Sequence, residues 1–255
     1  MQIIKDQSFE IDGLYLREPT KVVGCKFFNI QGFNHHAMEL HGDGTKHSEP
    51  QYIIEDCVID NRGIKPSDEA YDEGVAVLNS AYVIFNRVRF KNLGKSCLVG
   101  NGDYPETDKN LYVIFNECIF ENCGRRNPYI QFGSAILNNC LIKNWGDPDY
   151  FHKKSFGVRV GPKAMCIIND TVFWQDKFWP GIKNFVTDIT SQYDPILLPG
   201  NFRAAYAENG GILTLSNCYR NSKLLYFDGK LKSEMSKSEA FEKINHLETI
   251  VPKLD

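Results

Sequence analysis

The sequence predicts an all-β protein: a single right-handed parallel β-helix with a short C-terminal α-helix. Three observations carry this expectation. A phrase made of an apolar or small residue, any residue, Phe or Ile, any residue and Asn, often with Gly two places on, begins at positions 25, 57, 88, 118 and 140, with weaker copies at 171 and 218. Recurrence at about 20–50 residues marks a solenoid, a propeller or an array. Ahead of these phrases lies a second apolar alternation, as in Val83-Ile84-Phe85-Asn86, Val113-Ile114-Phe115-Asn116 and Cys166-Ile167-Ile168-Asn169, strand-like in period and composition. Neither stretch has helical spacing, and Asn-Gly or Asp-Gly turns are too few for the hairpins of propeller blades. Two strands and a small polar corner, repeated without helices, describe coils that pair edge to edge about 4.8 Å apart.

The elements follow in order. Cys25-Lys26-Phe27-Phe28-Asn29 and Cys57-Val58-Ile59-Asp60-Asn61 open the series, then come Val88-Arg89-Phe90-Lys91-Asn92, Cys118-Ile119-Phe120-Glu121-Asn122 and Cys140-Leu141-Ile142-Lys143-Asn144. The closing Asn suits a corner because it tolerates left-handed backbone, and stacked amides form a ladder. Cys25, Cys57, Cys118 and Cys140 share one repeat position, which predicts a reduced interior stack rather than disulfides, and no pair has zinc-ligand spacing. Segments 62–73, 99–110, 145–157 and 176–210, rich in Gly, Pro, Asp and Lys, read as loops leaving the scaffold. The coils span about 20–228 of a single domain, 1–255. Ser236 and Glu239 form a capping box, and Phe241, Ile244 and Leu247 share a stripe, so a helix is expected over about 237–248.

At 255 residues and net charge −3, the chain shows neither the basicity of a nucleic-acid binder nor a membrane-spanning run of about 20 apolar residues. Met1-Gln2-Ile3-Ile4-Lys5-Asp6 lacks the pattern of a signal peptide, so the expectation for this form is a cytoplasmic location or a place in a larger assembly. Asn169-Asp170-Thr171 has the form of a glycosylation acceptor but falls in a predicted strand.

The chemistry concentrates in the middle coils. Lys95 follows Gly94, and Arg125-Arg126-Asn127-Pro128 follows Gly124. The two glycines hold equivalent repeat positions, so these cations belong on one edge of adjacent coils. Such crowding favours an anion between them, or reflects a solvated basic patch facing the acidic stretches 68–73 and 103–108. His35, His36, His41 and His47 cluster with uneven spacing, as loop histidines or metal ligands. Tyr104, Tyr129, Trp145, Tyr150 and Phe151 near the excursions serve either as a platform for sugar rings or as caps on the interior.

Lys95-Ser96-Cys97-Leu98-Val99-Gly100, the strand 111–120, Gly124-Arg125-Arg126-Asn127-Pro128, Asn138-Asn139 and Gly157-Val158-Arg159-Val160 through Phe173, taken in order, resemble the core of the pectate lyase and pectin lyase family. The resemblance covers roughly residues 20–178 and is strongest over 83–146. It implies β-elimination on an anionic uronate polysaccharide, with charge developing at the sugar carboxylate stabilised where it forms. By position it makes Arg126 the base and Lys95 the carboxylate-binding cation, with Arg125, Gln131 and Tyr129 also meeting substrate. A guanidinium is a poor base alone, and neighbouring Lys95 and Arg125 favour loss of its proton. The family's second Arg falls at Gln131. Its calcium ligands fall at Glu55, Glu73 and Val77, with Asp56, Asp60 and Asp72 nearby, which leaves a calcium site hard to assemble. Two other readings stay open: a non-catalytic β-helical carbohydrate-binding protein, and an intracellular β-helix acting on a small phosphorylated ligand through the same cations.

Overall fold

Each coil is set by its corners. Asp6, Asp56, Arg87, Glu117, Asn139, Asp170 and Asn217 occupy one equivalent corner with φ between 49° and 55°, and Gly24 takes 64° at the same place. Asn29, Asn92, Asn122 and Asn144, which close the repeated phrase, also have φ of 52–53°. The left-handed Asn corner expected from sequence is present at these four. The computed structural model describes residues 1–10, 13–30, 36–61, 73–146, 156–176, 203–222, 225–228 and 230–253.

Among the described residues every coil but the last, which has Lys230–Leu231 alone, carries three strands, one more than the repeated phrases reveal, and all pairings between coils are parallel. Sheet A comprises Leu14–Leu16, Met38–His41, Glu73–Leu78, Lys95–Val99, the first residues of Tyr129–Asn138 and of Val158–Asn169, then Arg203–Ala207 and Tyr226–Phe227. Sheet B comprises Gln2–Lys5, Thr20–Val23, Tyr52–Glu55, Tyr82–Asn86, Tyr112–Asn116, the later residues of the two long strands, Ile212–Ser216 and Lys230–Leu231. Sheet C holds Ser8–Glu10, Lys26–Phe28, Val58–Asp60, Arg89–Lys91, Ile119–Glu121, Leu141–Lys143, Val172–Trp174 and Tyr219–Arg220. Sheet A was hidden in the sequence because segments of variable length flank it on both sides. The coils also begin at residue 2 and run to 231, beyond the expected 20–228. No described strand pairs with the outer edge of the first coil, whose strands are mostly exposed and carry a weak apolar signal.

The interior is built from like residues stacked from coil to coil. Phe85 lies on Phe115 with ring centroids 4.9 Å apart and planes 6° apart, and Phe90 lies on Phe120 at 4.7 Å and 3°. Cys25, Cys57, Cys118 and Cys140 are fully buried and unpaired by disulfides, as are Cys97, Cys123, Cys166 and Cys218. The amide ladder is most continuous at the end of sheet B, not at the phrase asparagines. There Asn116 donates to Asn86 at 3.0 Å, Asn138 to Asn116 at 3.1 Å and Asn169 to Asn138 at 3.1 Å. At the phrase corner the bonds run from Asn122 to Asn92 at 3.5 Å and from Asn92 to Asp60 at 2.7 Å.

A short helix α1, Pro105–Asp108, lies in the excursion after Val99. Helix α2, Lys237–Ile250, has the expected capping box between Ser236 and Glu239. It covers sheet C, where Ile119, Leu141 and Val172 meet Ala240, Leu247 and Val251. Buried Arg89 ties the two together, bonding Glu121 at 3.1 Å, Glu248 at 2.9 Å and the Pro252 carbonyl at 2.9 Å. With sheet C covered, the outer face of sheet A is the one flanked by long excursions.

Candidate active site

The corner leading from sheet C into sheet A gathers the cations. Gly94 and Gly124 lie directly over one another: a Cβ on Gly124 would stand 2.7 Å from the Gly94 carbonyl oxygen, so no side chain fits. That contact fixes the register that follows, with Arg125 N donating to Gly94 O at 3.0 Å and Lys95 paired to Arg125 across a parallel bridge. The sequence placed these two residues on one edge of adjacent coils, and the structure does the same.

Arg126 takes left-handed backbone, φ 62°, ahead of a cis Asn127–Pro128 peptide. Buried side chains hold it. The Ser96 hydroxyl donates to the Arg126 carbonyl and lies 2.6 Å from Asn127 Oδ1, while Asn127 Nδ2 donates to the Phe156 carbonyl at 3.2 Å. Cys97 N donates to the Arg126 carbonyl at 2.9 Å and Asn127 N to the Gly157 carbonyl at 2.9 Å. Arg126 is thus anchored to the coils on either side, on backbone whose own polar groups are satisfied.

Tyr129 stands on the outer face of sheet A, packed with Leu98 and Phe156. The Arg126 guanidinium lies 6.0 Å from its ring centroid and that of Arg159 4.4 Å. Arg159 is the cross-strand partner of Tyr129, stacks also on Phe156 at 5.4 Å and Tyr206 at 6.0 Å, and forms an ion pair with Glu208. Burial works against its charge, but Tyr206 and Glu208 more than offset this and raise its pKa. Burial likewise raises the Tyr129 pKa, against the pull of Arg159. The site therefore has a cation that motif reading did not assign. Its signal was the Gly157-Val158-Arg159-Val160 segment, which register places beside Tyr129.

The other expected residues lie elsewhere. Gln131 occupies the corner between sheets A and B, where its Nε2 donates to the Asn101 carbonyl at 3.4 Å. Glu55 is not part of the cluster: it ends a sheet B strand, bonded to Lys21 at 2.8 Å and Arg87 at 2.8 Å, which lower its pKa against burial. Asp56 pairs with Arg87 at 2.7 Å and Asp60 accepts from Asn92. Glu73 is the strand partner of Lys95, but its side chain lies outside the described residues, as do Asp72, His35, Tyr150 and Phe151. Val77 points into the buried interior with Val75 and Val99, and the alternate positions Ala76 and Leu78 are apolar. This strand offers no oxygen donor at any of the three. Among the described residues no three His, Cys, Asp or Glu side chains are grouped to hold a metal ion. The described donors do not fit a calcium site of six to eight oxygens, and no catalytic step below uses one.

Trp145 is a core residue, 1% exposed and edge-on to Phe173, so it forms no platform. The histidines divide. His47 bonds Asp43 at 2.9 Å on an exposed loop. His36 Nδ1 and His41 Nε2 flank the two oxygens of Glu39, at 3.0 and 2.6 Å. These bonds, His36's first, hold the Glu39 pKa at about 2 against the usual 4.5, although burial opposes them. A depressed carboxylate pKa gives stability that is present above pH 4.5 and lost as pH falls through about 2. The shift corresponds to about 3 kcal/mol. Acid titration of the melting temperature should show this loss in the wild type, and the slope between those limits should flatten in Glu39→Gln.

No protein-family profile matches the chain. A segment of 82 residues, 31% of the chain, is 30% identical to pectate lyase E of Dickeya chrysanthemi and equally to that of Dickeya dadantii, and takes in 20% of those proteins. The fold is shared with solved pectate lyases. A mutant of the Bacillus subtilis enzyme superposes with TM-score 0.60 at 10% identity, over 96% of this chain and 63% of that one. A Bacillus pectate lyase in complex with trigalacturonate gives 0.62 at 16%, over 97% and 75%. Pectate lyase II of Xanthomonas campestris gives 0.58 at 14%, over 98% and 78%. The likeness to these structures is one of fold, and the chain spans about a fifth of the curated relatives' length.

Proposed function

We propose that this protein is a polysaccharide lyase that cleaves an anionic uronate polymer by β-elimination at the Lys95, Arg126, Tyr129 and Arg159 cluster. The observation that carries the reading is the convergence of Arg126 and Arg159, from successive coils, on the Tyr129 ring, on the edge of sheet A where a backbone bridge joins Lys95 to Arg125. Guanidinium forks match a carboxylate bidentately, so Arg159 supplies what Gln131 lacks as a carboxylate partner. Lys95 and Arg159 bind the carboxylate, and Arg126 takes the proton on the carbon beside it. The electron pair of that C–H bond becomes the new double bond, and the glycosidic C–O bond breaks with its electrons leaving on oxygen. Charge accumulating on the carboxylate during this step is met by fixed cations in a partly buried site.

The test is incubation with a panel of uronate polysaccharides in excess chelator, followed by the ultraviolet absorbance of unsaturated ends. Product from the wild type, unchanged by chelator and absent in Arg126→Ala, is expected. Binding without product across the panel would instead leave a carbohydrate-binding protein, and normal turnover in Arg126→Ala would remove Arg126 as base.

A further inference from the structure

A second constellation stands on the same face of sheet A, away from the Arg126 cluster. Cross-strand partners run Tyr15, Glu39, Ala76, Leu98, Tyr129 along the outer face, so Tyr15 and Tyr129 are four coils apart. At about 4.8 Å per coil this is about 19 Å. His41 is buried between two exposed tyrosines from distant parts of the chain, Tyr15 of the first coil and Tyr104 before α1, with ring centroids at 5.1 and 5.8 Å. Tyr15 is 48% exposed and Tyr104 38%, two of the few large apolar side chains exposed among the described residues. Arg17 donates to the Tyr15 hydroxyl through Nε at 3.0 Å and Nη2 at 2.7 Å, which fixes ring and cation together. Beneath them His36, Glu39 and His41 are joined by the hydrogen bonds described above.

We infer that Tyr15, Arg17, His41 and Tyr104 form a second binding subsite for the uronate chain, resting on the lyase reading of the Arg126 cluster. The chemistry suits one sugar unit. Exposed tyrosine rings give an amphipathic surface for a pyranose face and their hydroxyls give hydrogen bonds to sugar hydroxyls, while the buried His41 ring stands between the two tyrosines and supports them. Arg17 gives its Nε and one Nη2 hydrogen to Tyr15 and keeps the Nη1–Nη2 edge for the carboxylate. The Glu39 carboxylate fixes the His41 ring from below, so this polar floor is preorganised before ligand arrives. The separation makes the protein selective for length. A trisaccharide seated at Arg126 ends short of Tyr15, whereas a hexasaccharide covers both positions on one strand of sugar.

The experiment is calorimetric titration of full-length Arg126→Lys protein with trigalacturonate and hexagalacturonate, with ultraviolet absorbance recorded on each sample. The hexamer is expected to bind at least tenfold tighter than the trimer. Adding Arg17→Ala and Tyr104→Ala should bring the hexamer down to the trimer's affinity, leaving the trimer's own affinity and the melting temperature unchanged. Equal affinities in the parent, an unaltered ratio in the triple variant, or no hexamer binding would overturn the subsite. Equal binding of a neutral glucose hexamer would overturn its uronate character. Unsaturated product at the wild-type rate in these samples would sink Arg126 as base, a separate failure that the absorbance records and the affinity ratio does not.

Discussion

Replacing Phe120 by lysine is expected to abolish folding. Phe120 is 1% exposed, stacked on Phe90 at 4.7 Å and edge-on to Phe115 at 5.7 Å, with no polar group among these contacts. Removing a buried Phe side chain costs about 3–5 kcal/mol, and an unpaired buried ammonium adds several more. Together these approach the whole stability of an ordinary domain, about 5–15 kcal/mol. Far-ultraviolet circular dichroism should show Phe120→Lys unfolded, whereas Phe120→Leu should fold with a lowered melting temperature. A native-like, cooperatively melting Phe120→Lys protein would contradict the stacked interior.

The second large effect is chemical. In Arg126→Lys, turnover should fall by about 10²–10⁴-fold, the usual contribution of a positioned base, while KM stays within a few-fold. Lys95→Ala and Arg159→Ala should behave differently. Both remove a charge that meets the carboxylate before and during the reaction, so KM should rise as kcat falls. Initial rates over a substrate series separate the two patterns. If Arg159→Ala left both constants unchanged, Arg159 would be a structural partner of Glu208 and the tyrosines only.

Residues in repeated surroundings were legible, and those placed by tertiary register were not. The Cys stack, the left-handed asparagines and the capping box each announce themselves locally, by period or by a three-residue spacing. Sheet A did not, because the stretches on either side of its strands vary in length and break the period. Lys95 and Arg125 were found on one edge because the glycines before them share a repeat position. Arg159 was missed as a site residue because its neighbour Tyr129 is 30 residues earlier and only the paired long strands bring them together. Glu55 was misplaced for the opposite reason: sequence order put it near the metal ligands of similar enzymes, while the coil carries it to the corner between sheets B and C, where Lys21 and Arg87 neutralise it.

The corner between sheets B and C has a consequence for how such a protein evolves. At that turn two residues separate the strands in every coil, from Asp6-Gln7 through Asp56-Cys57 and Glu117-Cys118 to Asn217-Cys218. The first is a left-handed pivot at each of these turns, and the second stacks inside in most. An inserted residue here would turn the sheet C strand that follows it inside out, up to the next loop of variable length, so selection can exchange letters at this edge more readily than it can add any. The two edges bordering sheet A carry no such restriction: two strands pass from sheet A to sheet B without a break, and other connections run to more than a dozen residues. New specificity can therefore arise by lengthening loops around one face while the other two keep count.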